Sequence, residues 1–61
     1  MYAKMITVKG DRINSQVIGY ELFSEKEISE AEIDKIKQMR ESEFLLYVEN
    51  SKNIKRCERL R

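Results

Sequence analysis

The chain contains no histidine, no proline and no tryptophan, one cysteine and two glycines in 61 residues. Without an imidazole the commonest general base is missing, and a single thiol, Cys57, can build neither an intrachain disulfide nor a Cys/His zinc site. The two glycines, Gly10 and Gly19, stand too far apart for a phosphate-cradling loop. The longest uninterrupted apolar run, Phe44-Leu45-Leu46-Tyr47-Val48, is far too short for a transmembrane helix. The opening residues Met1-Tyr2-Ala3-Lys4 have no apolar region of a signal peptide behind them, so a cytoplasmic location is expected.

What is present is a chain of balanced charge, with 12 Lys or Arg against 11 Asp or Glu and 41% hydrophobic residues. That composition is too apolar and too evenly charged for a disordered segment. The length allows one small domain over residues 1–61 and no second core. Charge is unevenly distributed: residues 24–43 hold seven acids against Lys26, Lys35, Lys37 and Arg40, whereas residues 50–61 hold five bases against Glu58 alone. Asymmetry of this kind bears on the choice of partner.

Alternation predicts two strands first. Over residues 2–9, Lys4, Ile6 and Val8 fall on one side and Ala3, Met5 and Thr7 on the other. The turn formers of residues 10–15 lead into a second run, residues 16–23, with Ile18, Tyr20 and Leu22 on one face. Gly19 inside that run suggests a bulge or a close backbone approach. A helix is predicted next. Ser29-Glu30-Ala31-Glu32 fits a capping box with Ile28 and Ile33 at the staple positions, although Ser24 to Glu27 repeats the pattern one turn earlier. Ile33, Ile36 and Met39 trace its apolar stripe, which implies roughly a dozen helical residues. Residues 44–49 then read as a short strand, with Phe44, Leu46 and Val48 on one face and Leu45 and Tyr47 on the other. A turn over residues 50–53 and a last strand over residues 54–61 complete the pattern. The expected fold is therefore α+β, ββαββ, a four-stranded antiparallel sheet with one helix packed on one face.

No catalytic, cofactor-binding or metal-binding set emerges. Cys57 has basic neighbours in Lys55, Arg56 and Arg59 but no imidazole, and reads as a small half-buried hydrophobe of the last strand. The acid pairs Glu25 with Glu27 and Glu30 with Asp34 read as a solvated helix face. Two binding surfaces stand out. A sheet covered on one side leaves Met5, Val17, Phe23, Leu45 and Tyr47 on the bare side, the pattern of a protein-binding surface and of a two-fold homodimer. In the last strand Lys55, Cys57, Arg59 and Arg61 fall on one face at about 7 Å from one to the next, and the three cations among them, Lys55, Arg59 and Arg61, suit a track of nucleic-acid phosphates. Lysine and arginine also protect sheet edges from aggregation. The leading expectation is a non-enzymatic protein-binding domain acting as a homodimer, and the alternative is a nucleic-acid-binding module.

The order of elements, with Val17-Ile18-Gly19-Tyr20-Glu21-Leu22 in the second strand, Ile28-Ser29 opening the helix and a closing strand ending near Leu60-Arg61, resembles small domains of about this length in Gram-positive bacteria and their phages. Those domains have no assigned activity. The resemblance implies a bacterial or phage accessory protein and transfers no functional residue.

Overall fold

A computed structural model describes residues 1–14 and 16–60. Its elements are β1 (Tyr2–Lys9), β2 (Val17–Ser24), α1 (Glu30–Lys37), α2 (Glu41–Glu49) and β3 (Ile54–Arg59). The fold is α+β, with a three-stranded antiparallel sheet in the order β1-β2-β3 and two helices.

The alternation of the first two strands is realised. Ile6 and Val8 of β1 and Tyr20 and Leu22 of β2 are buried, and the register pairs Ile6 with Tyr20 and Val8 with Ile18. Together with Ile28, Ile33, Ile36, Met39, Phe44, Val48 and Ile54 they form one core, with Tyr20 and Phe44 packed ring to ring at 4.8 Å and a 54° tilt. Helix α1 starts where the capping box places it. The Ser29 hydroxyl accepts from the Glu32 N–H at 3.2 Å. The reciprocal half of the box is not made, because the Glu32 carboxylate instead accepts the Tyr47 hydroxyl at 2.6 Å. Ser24, the alternative start, is the buried last residue of β2 and donates to the Lys26 carbonyl at 2.7 Å.

Two expectations are corrected. Residues 44–49 do not form a strand; they are the body of α2, so the sheet has three strands and the chain runs ββααβ. Five consecutive apolar residues fit either period, and helix wins because Phe44 and Val48, four apart, both reach the core. Glu41 and Glu43 in the first turn also suit the positive end of the helix. The partner expected for the last strand therefore does not exist, and β3 pairs with β2 instead, Leu22 opposite Cys57 and Tyr20 opposite Arg59.

The second correction concerns helix length. α1 has eight residues, not about a dozen. Met39 keeps its place in the buried stripe, but the chain has already left the helix. Its carbonyl accepts from the Lys9 N–H at 3.2 Å, and Arg40, extended at φ −85° and ψ 162°, makes an isolated parallel bridge with Lys9. Neither glycine nor proline breaks the helix; a contact with a distant strand does. Gly19 occupies a regular ladder position, and a Cβ there would meet the Leu60 side chain at an ordinary 3.5 Å, so the position does not require glycine.

Candidate interaction surface at the edge of β1

The two outer strands of the sheet end very differently. β3 contains four charged residues among its six, and its ladder with β2 jumps from Phe23–Arg56 to Ser24–Ile54, leaving Lys55 as a bulge. Charge and a bulge are the usual means of blunting an edge. β1 has neither a bulge nor a proline, and pairs with β2 without a register shift over all eight of its residues.

The direction of the backbone groups follows from two bonds. Gly10 donates inward to Gln16 at 3.0 Å, whereas Lys9 donates to Met39 at 3.2 Å on the side away from β2. In an antiparallel ladder, residues two apart point their N–H and C=O the same way. Ala3, Met5 and Thr7 therefore present both groups to the free edge, and among the described residues no partner reaches them. The segment Met39–Arg40 closes the edge at its Lys9 end only.

Beside the other end of the strand lies a groove of about 400 Å³, lined by Tyr2 to Met5, Ser24, Glu27 and Ile28, and by Glu30, Ile33, Asp34 and Lys37 of α1. Helix α1 packs on β1 and α2 mainly on β3, so α1 forms the rim over the open edge. The rim is acidic at Glu30 and Asp34 and basic at Lys37.

The proposed apolar surface is only partly assembled. Met5 and Val17 are each 69% exposed and lie on the sheet face away from the helices, but four positions apart along the ladder. Phe23 shares that face, half-buried beneath the Arg56 guanidinium, whose carbon stands 4.2 Å from the ring centroid. Glu21 lies opposite Met5 and Glu58 opposite Glu21, so the face is mixed rather than apolar. Leu45 and Tyr47 do not belong to it, since both sit on α2. Leu45 is exposed to solvent, and Tyr47 is half-buried between Glu32, which takes its hydroxyl, and Lys35, whose Nζ stands 5.4 Å from the ring centroid.

The basic track is not assembled among the described residues. Lys55, in the bulge, pairs with Glu25 at 3.0 Å and donates to the Lys52 carbonyl at 2.9 Å. Arg59 stands opposite Tyr20, beside Glu41 and Asp11 in a separate polar hollow. Arg61 lies outside the described residues.

Tyr20, Tyr47 and Cys57 are held in their neutral forms by the fold. Tyr20 donates its hydroxyl to Glu41; burial, then that bond, pushes its pKa up to about 12. Tyr47 is pushed up to about 12 as well, first by its bond to Glu32 and then by burial. Burial also raises the Cys57 thiol, the opposite of activation by its basic neighbours. Among the described residues no group of three or more His, Cys, Asp or Glu side chains could hold a metal ion, and no helix is long and apolar enough to cross a membrane.

Two features of this surface were beyond sequence reading. Asp11 accepts from the Ser42 N–H at 3.1 Å and its hydroxyl at 2.9 Å, while an Arg40 guanidinium nitrogen reaches the carbonyls of Gly10 at 2.6 Å and Arg12 at 3.3 Å. These bonds tie the β1–β2 loop to the start of α2. Asn53 does the same at the far end, bonding both the N–H and the carbonyl of Lys26. No family model, curated protein or solved structure matches the chain, so the resemblance to bacterial and phage domains gains no support from that side.

Proposed function

We propose that this chain is a non-enzymatic binding module that adds an extended segment of another protein chain to the free edge of β1. One observation carries the reading: β1 is a regular eight-residue edge whose Ala3, Met5 and Thr7 present unpaired backbone donors and acceptors, while the opposite edge of the same sheet is blunted. Strand addition takes its affinity from such main-chain bonds and its selectivity from pockets for alternate side chains. The groove under α1 supplies such a pocket, and Met5 supplies a flexible, polarisable contact on the other face.

The test uses a library of displayed peptides panned against the wild-type chain and against Met5→Pro. The Met5 N–H faces outward, so proline removes a donor from the edge and none from the β1–β2 ladder. Recovered peptides are expected to bind the wild type, to lose binding to Met5→Pro and to protect the amides of Ala3, Met5 and Thr7 from hydrogen exchange. Peptides that bind both proteins equally, or leave those amides unprotected, would place the contact elsewhere and overturn the reading.

A further inference from the structure

Resting on that reading, we infer that the segment added to β1 is β1 of a second copy, joined antiparallel about a two-fold axis that passes through Met5.

The register follows by elimination. A two-fold through Met5 sets Ala3 against Thr7 of the second copy and Met5 against its own counterpart. Every outward-facing residue then exchanges both backbone groups. Moving the axis to Lys4 would oppose two like charges, which is destabilising in directly facing positions. Moving it to Ile6 or Thr7 would bring Ala3 or Met5 opposite Lys9, whose outward N–H is already given to Met39. Moving it to Ala3 would set Met5 and Thr7 beyond the end of β1 of the second copy. Only the Met5 axis uses the whole open stretch and stops where Met39–Arg40 closes the edge.

Side chains agree with this choice. On the helix side Lys4 would stand opposite Ile6 of the second copy, a residue already buried in the core, so that no second lysine faces it and its ammonium is free to reach the acids of the α1 rim. On the other face the two Met5 side chains would cover one another, removing from water a residue that is 69% exposed in the single chain. Rotation about an axis normal to the sheet reverses the rim. The acidic end of one α1, Glu30 and Asp34, then faces Lys37 of the other, and the converse contact follows by symmetry. A rim with acids at one end and a base at the other complements a reversed copy of itself. The result is a continuous sheet through both copies, with all the helices on one side.

The test has two parts. The wild-type chain, sedimented from micromolar to millimolar concentration, is expected to be a dimer, and Met5→Pro a monomer with an unchanged far-ultraviolet circular dichroism spectrum. In a Cys57→Ser background, Met5→Cys is expected to form a disulfide with its own copy on mild oxidation, since Cα atoms facing across a hydrogen-bonded pair are about 5.5 Å apart, inside the range a disulfide spans. Ala3→Cys should cross-link to Thr7→Cys and not to itself. A dimer that survives Met5→Pro, or Ala3→Cys linking to Ala3→Cys, would overturn the axis. A wild-type chain that stays monomeric at millimolar concentration would overturn the inference altogether. Peptides that still require the Met5 edge would in that case show that the binding reading holds and that the partner is a different chain.

Discussion

Asp11 receives both the backbone N–H and the hydroxyl of Ser42, 31 residues away, and so acts as the cap that Arg40 does not provide for α2. A helix N-terminus leaves several N–H groups without intrahelical partners, and a carboxylate there also meets the positive end of the dipole. Asp11→Ala is expected to lower stability by about 1 kcal/mol. Asp11→Asn, which keeps an acceptor, should recover most of it. Chemical denaturation read beside amide exchange over residues 42–44 checks this: exchange should quicken at the start of α2 while Ile6 and Leu22 keep their protection. Uniformly faster exchange would mean that the bond supports the whole fold rather than one helix end.

The two raised tyrosines predict an alkaline limit. Each is held neutral in the folded state with a pKa near 12 against 10 in the unfolded chain. Their contribution is fully present below pH 10 and is lost as the pH rises toward 12, because the unfolded state gives up its phenolic protons first. The melting temperature should fall across that window. Tyr20→Phe and Tyr47→Phe should each start lower, by about 1 kcal/mol for the lost hydrogen bond, and decline less steeply. A melting profile of the same slope in the double variant would sink the assignment.

The helical state of residues 41–49 can be read from two substitutions. Phe44 is fully buried, and Phe44→Ala should cost about 3 to 5 kcal/mol, enough to unfold most of a domain this small. Leu45 is 43% exposed on α2, which packs mainly on β3. Leu45→Glu should leave both the denaturation midpoint and the assembly state unchanged. In a sheet face buried between subunits the same change would dissociate or unfold the protein.

Lys55 and Arg59 do not share a track, and Lys55 is engaged with Glu25. Replacing both by Ser should therefore leave unchanged whatever weak affinity for single- or double-stranded nucleic acid the chain shows at low salt. A fall in the salt dependence by about 2 in the log-log slope would instead mark both as phosphate contacts.

Much of this fold is legible residue by residue, and the limits of legibility are physical. Ile6, Val8, Tyr20 and Leu22 announce two half-buried strands because side-chain direction in a strand depends only on parity. Ser29 marks its helix because a cap is a local bond. Residues 44–48 carry no such local mark, since an unbroken apolar run satisfies both periods, and only the remaining surface of the core decides that Phe44 and Val48 point inward together. The end of α1 is equally silent in the sequence, being imposed by Lys9 and Gly10 from the far side of the chain. The candidate surface was half visible: Met5 and Val17 fall on the bare face by alternation, but the free edge depends on strand order, and strand order is a long-range property.

The single-residue bulge at Lys55 has a consequence for growth. A sheet with two addable sides can recruit copies without limit, each new one offering the side that the last one used. Here one side is spoiled, so the proposed pair joined through β1 would present only blunt, charged borders to a third copy, and assembly would stop at two. Deleting Lys55 would restore a straight second border, and the expected product is no longer a pair of defined mass but a species that lengthens with concentration.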